Sequence, residues 1–233
     1  MTIDYSTLFR DNKPVLIYDD DRREAETDFV IPSQLVTPEI IREMRKNAGG
    51  LICTTMKQED AEKLGLPFMD EFYSKYLING QMAAFSGDMK YDKNSSFTVT
   101  INHRNTFTGI PDRDRSLTVT EFSKFINRMP QLNGTASKEF FTEFRVPGHI
   151  NLLIARRGYF EYRRGHTELS TYLVEKAGYI PSATIAEMLS DSGKAMTKDE
   201  AKEYAQNKGL TFIEGDLIIS GWADDKGHGN RGV

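Results

Sequence analysis

The sequence predicts a single α/β domain. Short apolar stretches typical of buried strands alternate along the chain with segments that carry the caps and spacing of helices. The chain has 233 residues, a length that one α/β domain often reaches. No internal repeat or low-complexity linker divides it. We therefore predict one domain over residues 1–223, followed by a flexible, glycine-rich polar tail over residues 224–233.

The first half of the chain contains three predicted strands and one well-defined helix. Residues 15–18 form a short apolar stretch that ends in acids, as a buried strand would. The Thr-Pro-Glu sequence at residues 37–39 predicts a helix start, with a capping hydroxyl, a proline in the first turn and an acid near the positive end of the dipole. The glycine pair at residues 49–50 should end this helix. Residues 51–55 and the alternating residues 97–101 predict two further strands.

The second half repeats this alternation. Residues 150–155 predict a strand, and residues 167–177 predict a helix that a glycine ends. A Thr-x-x-Glu capping box at residues 197–200 begins another helix, which should end near residue 209. Two short apolar stretches, at residues 212–213 and 217–219, are candidates for late strands.

Composition excludes several classes of function. The formal net charge of −4 argues against general nucleic-acid binding, although it leaves room for one local basic pocket. Cys53 is the only cysteine, so neither a disulfide within the chain nor a cysteine-based zinc cluster can form. No apolar stretch approaches the roughly 18 residues of a membrane helix, and the first ten residues do not resemble a signal peptide. We expect no membrane association and a cytoplasmic location.

A dense charged segment, residues 19–28, directly follows the first predicted strand. If the segment is extended, Glu24, Glu26 and Asp28 lie on one side and Arg23 on the other. Clustered carboxylates at the end of a strand suit a hard divalent cation such as magnesium. The alternative is a solvated acidic turn, which is the more common fate of a charged run.

A second cluster precedes the helix predicted over residues 167–177. Gly165 allows the backbone to approach a ligand closely, and the free amides of a helix start favour an anion. Thr167 adds a hydroxyl, and Arg163 can bind two phosphate oxygens at once. His166 could ligate a metal or move protons. The alternative is an ordinary helix cap with surface charges.

Three other positions carry weak signals by themselves. His149 follows Pro-Gly and precedes an apolar strand, where a histidine is more often structural than catalytic. Cys53 lies within a predicted strand and is by default a small buried hydrophobe. Thr108 belongs to a polar loop before a helix, and a plain surface loop is its alternative.

Together these clusters resemble the 3,4-dihydroxy-2-butanone 4-phosphate synthase family. The Arg-Glu-Ala-Glu-Thr-Asp sequence of residues 23–28 resembles its Arg-Glu-x-Glu-[Gly/Thr]-Asp signature, and residues 147–149, 163–168 and 185–188 resemble three later motifs in the same order. The resemblance runs from about residue 14 to about residue 220 and is closest to the archaeal branch. The zinc-binding cysteines of the cyclohydrolase domain that often accompanies the bacterial enzyme are missing, so we expect a monofunctional synthase.

The resemblance implies a fold and an activity. The fold would be a three-layer α/β sandwich with a mixed β-sheet, and the protein would be a homodimer with active sites near the interface. The activity would be that of a lyase of riboflavin biosynthesis, which converts D-ribulose 5-phosphate to L-3,4-dihydroxy-2-butanone 4-phosphate and formate. The steps would be metal-assisted enolisation, dehydration, skeletal rearrangement and loss of carbon 4. Mg²⁺ or Mn²⁺ would be the cofactor, with no organic cofactor.

The resemblance also implies roles for individual residues. Glu24 and His166 would bind the metal. The expected catalytic residues are His149, Glu187, Asp28 and Glu26. Substrate-binding residues would be Arg23, Glu24, Asp28, Cys53, Thr108, Arg163, Gly165, His166, Thr167 and Glu187.

Three other functions remain compatible with the sequence. A nucleotide- or RNA-binding relative of the same fold would need a basic groove, and no such run of lysine and arginine is present. A non-catalytic sugar-phosphate sensor would keep the fold and lose the chemistry. A sugar-phosphate isomerase would share the enediolate step but would release no formate.

Overall fold

Seven strands form one mixed β-sheet within the described part of the chain. The structure is a computed structural model that describes residues 3–76, residue 92 and residues 94–229. The strands are β1 Val15–Tyr18, β2 Thr27–Pro32, β3 Cys53–Lys57, β4 Phe97–His103, β5 Phe144–Ala155, β6 Ala183–Glu187 and β7 Thr211–Glu214. Their order is β4-β5-β3-β6-β2-β1-β7, with β1/β7 and β3/β5 parallel and the other pairs antiparallel. The mixed sheet is confirmed.

Helices cover both faces of this sheet. Over the described residues they are α1 Pro38–Glu43, α2 Gln58–Leu64, α3 Met69–Tyr76, α4 Asp112–Arg128, α5 Ala136–Glu143, α6 His166–Lys176, α7 Lys198–Lys208 and α8 Gly215–Gly229. Side chains alternate along each strand, so Leu16 and Phe29 join the core beneath α1, α4 and α5. Their neighbours Ile17 and Val30 join a second core beneath α6 and α8. The three-layer sandwich is therefore confirmed.

The predicted helix caps are present. The Thr37 hydroxyl accepts a hydrogen bond from the backbone N–H of Ile40 at 3.3 Å, and α1 runs on through a π-turn before Gly49 ends it. Thr197 and Glu200 form a complete capping box at the start of α7, and Gly209 follows its last residue. These local signals hold because they depend on neighbouring residues only.

Residues 217–219, which we predicted as a strand, are helical and lie within α8. Three consecutive apolar residues fit either structure, and here only Ile218 is fully buried, in the core beneath α6. The prediction was wrong because so short a stretch carries no period.

Residues 224–229 of the expected flexible tail are helical, because α8 continues to Gly229. The Asp225 carboxylate accepts a hydrogen bond from the Tyr172 hydroxyl at 2.8 Å and pairs with Lys176 at 2.7 Å. These contacts tie Asp225 of α8 to α6. The last four residues of the predicted tail, 230–233, lie outside the described residues.

The pairing of β2 with β6 brings the start of one strand beside the end of the other. Asp28 lies opposite Glu187 in this antiparallel register. Asp28 and Val30 are two residues apart, so both face the α6 side of the sheet. The N-terminus of α6 therefore lies on the same side of the sheet as the Asp28 carboxylate. Within the described residues, no helix combines the length and apolar character needed to cross a bilayer.

Candidate active site

The loop between β1 and β2 is folded around one buried carboxylate. Asp19 accepts hydrogen bonds from the backbone N–H groups of Glu24 and Glu26, each at 3.0 Å, and is 4% exposed. Ala25 lies in the left-handed region, with φ of 54°, which turns the chain between them. Asp19 therefore fixes the side chains that the sequence singled out, although we did not predict it as a site residue.

The same loop corrects one expectation. An extended segment would place Arg23 on the side opposite Glu24, Glu26 and Asp28, but all four side chains line one cavity. Residues 21–24 form a turn, so the alternation that an extended chain would impose is lost.

This cavity has a volume of about 290 Å³. Its walls hold most of the predicted site residues, namely Arg23, Glu24, Glu26, Asp28, Cys53, Arg163, His166, Thr167 and Glu187, together with Ser95, Ser96, Phe97, Leu153 and Ile185. The two serines and Phe97, at the start of β4, were not predicted, because nothing in their local sequence distinguishes them from an ordinary strand start.

Two arginines, Arg23 and Arg163, line part of the cavity wall. The Asp92 carboxylate binds Nη2 of Arg23 and Nε of Arg163, both at 2.7 Å. Nη1 of Arg163 donates to the fully buried Glu168 at 2.7 Å. Two guanidinium groups are thus held side by side with limited freedom. Such an arrangement suits a phosphate, which accepts several hydrogen bonds at once.

Gly165 allows Arg163 to fold back over the start of α6. A Cβ atom on Gly165 would lie 2.1 Å from Nη1 of Arg163. Gly165 is also the cap residue of α6, and Thr167 follows in the first turn. Free backbone amides at this helix start add a second anion-binding element beside the guanidinium groups.

His166 also lines the cavity and lies among carboxylates. Its Nδ1 lies 3.1 Å from Oε2 of Glu24, and its Nε2 lies 3.7 Å from Oδ1 of Asp28. Burial alone would lower the pKa of His166, but the carboxylates of Asp28 and Glu24 raise that pKa to about 10. In return, the pKa of Glu24 falls to about 2, because His166 and the neighbouring arginines outweigh the effect of burial.

The cluster around His166 fits a divalent cation. Asp19, Glu24 and His166 each offer a ligand atom, and these atoms lie within 4.8 Å of one another. Two ligands that bind magnesium at right angles, at 2.0–2.1 Å, lie about 3 Å apart, which matches the 3.1 Å between His166 and Glu24. Among the residues that the structure describes, Oδ1 of Asp28 is buried and has no hydrogen-bond partner. A bound cation, or a sugar oxygen beside it, would satisfy that atom.

The carboxylates beside this position differ from one another. Burial and the nearby Glu187 and Glu24 carboxylates raise the pKa of Asp28 to about 8, although His166 opposes the shift. Burial, followed by the charge of Glu24, raises the pKa of Glu26. The pKa is therefore raised at Asp28 and Glu26 and lowered at Glu24.

Glu187 is held by the backbone that follows α1. Its Oε2 accepts the N–H of Leu51 at 2.7 Å. A Cβ atom on Gly50 would lie 2.4 Å from the same oxygen, so only glycine permits this approach. Gly50, which we predicted only as part of a helix stop, therefore also shapes the site.

Cys53 faces the cavity from β3 but is only 2% exposed. Burial, reinforced by the charges of Glu187 and Asp28, raises the pKa of its thiol well above the usual value. The thiol is therefore neutral near physiological pH. Cys53 contributes to the cavity as a small, uncharged part of its wall.

His149 and Thr108 do not line the cavity of the chain that holds them. They lie together elsewhere, joined by Asn102, whose Nδ2 lies 3.0 Å from Nδ1 of His149 and 3.3 Å from the carbonyl oxygen of Thr108. His149 is exposed. The structure thus divides the predicted site residues into two groups.

Comparison with known proteins agrees with the motifs. The sequence profile of the 3,4-dihydroxy-2-butanone 4-phosphate synthase family matches residues 5–220. The synthase of Archaeoglobus fulgidus is 44% identical over 91% of this chain and 89% of its own length, and that of Methanosarcina acetivorans is 41% identical over 92% and 88%. A solved synthase structure in complex with two magnesium ions superposes with a TM-score of 0.71 at 26% identity, over 93% of this chain and 94% of that one. The chain therefore belongs to the 3,4-dihydroxy-2-butanone 4-phosphate synthase family.

Proposed function

We propose that this protein converts D-ribulose 5-phosphate to L-3,4-dihydroxy-2-butanone 4-phosphate and formate in the cavity between β2, β6 and α6. The observation that carries the proposal is that one cavity joins two clamped guanidinium groups to a cluster of carboxylates around a buried histidine. A five-carbon sugar phosphate carries the groups that these residues can bind, namely a phosphate and a hydroxyketone.

The proposed reaction begins with an enediolate and ends with the loss of one carbon. Carbon 3 loses a proton to give an enediolate, and the hydroxyl on carbon 1 leaves as water. The bond from carbon 4 to carbon 5 then breaks as carbon 3 joins carbon 5, and one water enters as carbon 4 leaves as formate. The water lost and the water gained balance, and no redox cofactor is needed.

We infer that Glu24 and His166 hold the divalent cation. A cation there would stabilise the negative charge that develops on the sugar oxygens during enolisation. The proposal draws support from the 3.1 Å spacing of the two ligand atoms and from the magnesium complex of the similar synthase structure. Asp19 completes the acidic environment while its oxygens hold the loop.

We infer that Arg163, Thr167 and the Gly165 amide bind the phosphate, with Arg23 beside them. Fixing the phosphate keeps the reactive carbons in place through several steps. Asp28, Glu26 and Glu187 then face the sugar carbons and exchange protons with them. Their position at the paired ends of β2 and β6 supports this assignment.

We further propose a cytoplasmic homodimer in which the partner's His149 and the partner's Thr108 complete each cavity. The division of the predicted residues into two groups supports this arrangement, since His149 is exposed on its own chain. Apolar side chains near Thr108 are exposed as well: Phe107 is 95% exposed and Ile110 is 51% exposed. Exposed apolar groups of this size are typical of an interface.

A direct assay tests the reaction. Purified protein with ribulose 5-phosphate and Mg²⁺ should release one formate for each sugar consumed, and EDTA should stop the release until Mg²⁺ is restored. Sugar binding without turnover would favour the sensor, and turnover without formate would favour an isomerase.

Two variants refine the assay. His149→Ala and Glu187→Ala should each lose most of the turnover, since positioned acids and bases typically contribute about 10²- to 10⁴-fold. Glu203→Gln, on the exposed face of α7, is the control and should behave as the parent protein. Near-normal turnover of either alanine variant would refute the catalytic role assigned to that residue.

A further inference from the structure

The side chain of Asn102 lies at the base of the His149 imidazole and uses all of its hydrogen-bonding groups. Asn102 is on β4 and is 7% exposed. Its Oδ1 accepts the backbone N–H of His149 at 2.8 Å. Its Nδ2 lies 3.3 Å from the Thr108 carbonyl oxygen and 3.0 Å from Nδ1 of the His149 ring.

The two backbone partners determine which end of the amide is oxygen and which is nitrogen. A backbone N–H needs an acceptor, so Oδ1 faces His149, and a carbonyl oxygen needs a donor, so Nδ2 faces Thr108. The second hydrogen of Nδ2 is then left for the imidazole. Turning the amide over would place oxygen against oxygen at Thr108 and nitrogen against nitrogen at the His149 backbone.

This orientation selects one tautomer of His149. A proton on Nδ1 would face the amide N–H at 3.0 Å. The other neighbour of Nδ1, Oδ1 of Asn102, is farther away at 3.3 Å and already accepts the backbone N–H. Nδ1 therefore accepts, and the neutral ring carries its proton on Nε2. Among the described residues, Nε2 has no hydrogen-bond partner.

Packing prevents the amide from turning away. Gly109 has φ of 90°, and a Cβ atom there would lie 2.0 Å from Nδ2 of Asn102. On the other side, a Cβ atom on Gly148 would lie 1.9 Å from the backbone carbon of Ile101. Two glycines thus let the loop and β5 close around Asn102, which holds both His149 and Thr108 in place.

We propose that Asn102 is a positioning residue that fixes the tautomer and orientation of His149, so that His149 presents Nε2–H as a hydrogen-bond donor to a sugar oxygen. The tautomer follows from the geometry alone, whereas its use on the sugar rests on the proposed function. His149 then acts first as a donor that polarises the substrate, and the carboxylates around Asp28 take the proton from carbon.

Nitrogen-15 NMR of the full chain, without substrate, tests the tautomer. The spectrum is recorded at a pH where the His149 ring is neutral, as shown by its own titration, and His149→Ala identifies the signals. Nδ1 should show the shift of an unprotonated ring nitrogen and Nε2 that of a protonated one. In Asn102→Asp, a carboxylate replaces the donor, so the tautomer should invert. A protonated Nδ1 in the parent protein would overturn the proposal, whatever the variant does.

Kinetics tests the use of the tautomer. Asn102→Asp should lower kcat by roughly 10- to 100-fold, the range known for loss of the outer partner of a metal-bound imidazole, with little change in KM. Asn105→Asp, an exposed residue of the next turn, is the matched control and should leave both constants unchanged. Unchanged kcat in Asn102→Asp would overturn the positioning role if His149→Ala is inactive. If His149→Ala is itself fully active, the proposed function of His149 fails instead, and the tautomer stands.

Discussion

At the level of single residues, Asp19 gives the cavity its shape. Its two oxygens bind the backbone of Glu24 and Glu26 and thereby hold the acids that face His166. The identities of Glu24 and His166 as candidate ligands could be predicted from sequence because they belong to dense motifs. The role of Asp19 could not, because three aspartates in a row look alike until the loop folds around one of them.

The first prediction concerns the metal. Glu24→Gln keeps the shape of the side chain but removes its charge, and it should weaken Mn²⁺ binding by at least about tenfold, since even loss of an outer partner of a ligand costs that much. Titration with Mn²⁺ followed by electron paramagnetic resonance measures the affinity. Glu203→Gln, which removes one exposed carboxylate elsewhere, should bind like the parent protein. Equal affinities in all three proteins would exclude Glu24 as a ligand.

The second prediction concerns Cys53. Because burial raises the pKa of the thiol, very little thiolate exists at pH 8 in the folded protein. Iodoacetamide should therefore alkylate native Cys53 at least about a hundredfold more slowly than the urea-unfolded chain, in which the thiol has its ordinary pKa near 8.5. Mass spectrometry over time gives both rates. Comparable rates would show that the cavity opens Cys53 to solvent.

At the level of elements, the packing of α6 and α8 stabilises the site. The buried Thr171 hydroxyl of α6 is hydrogen-bonded to the Thr55 hydroxyl of β3 at 2.8 Å, which anchors the helix that carries His166 and Thr167. The start of α6 could be predicted from Gly165. The course of α8 could not, because its anchoring contacts with Tyr172 and Phe160 are distant in sequence.

The third prediction tests that α8 is a structural element and not a tail. Trp222 packs edge to face on Phe160, with ring centroids 5.5 Å apart, and lies against the core beneath α6. Trp222→Ala should lower the free energy of unfolding by about 1–3 kcal/mol. Tyr162→Ala removes an aromatic ring that is 74% exposed and should change it by less than about 0.5 kcal/mol. Urea unfolding compares the two, and equal effects would mean that α8 does not pack as described.

At the level of the whole molecule, the three-layer sandwich forms because neighbouring residues of each strand face opposite sides of the sheet. The sequence shows this alternation within short apolar stretches. Leu16 and Ile17, or Phe29 and Val30, face opposite cores, so single strands could be predicted. The order of strands could not, because it depends on contacts between distant segments. For the same reason, sequence could not show that His149 lies apart from His166, with an irregular register between β4 and β5 beside it.

The fourth prediction tests the homodimer. His149→Ala and His166→Ala should each be inactive alone. If the partner's His149 completes the cavity, unfolding, mixing and refolding equal amounts of the two variants should restore about a quarter of the parent activity, since half of the dimers are mixed and each has one intact cavity. Parent protein refolded in the same way is the control. No recovery beside a fully recovered control would place His149 and His166 of one chain in the same site.

The central claim is that this cavity removes carbon 4 of its substrate, and isotope labelling tests it most directly. Ribulose 5-phosphate labelled with carbon-13 at carbon 4 alone is supplied with Mg²⁺ and followed by NMR. All of the label that leaves the sugar should appear in formate, in equal amount to the unlabelled four-carbon phosphate formed, and none should appear with Glu24→Gln. Label that stays within a five-carbon phosphate while substrate is consumed would contradict the account.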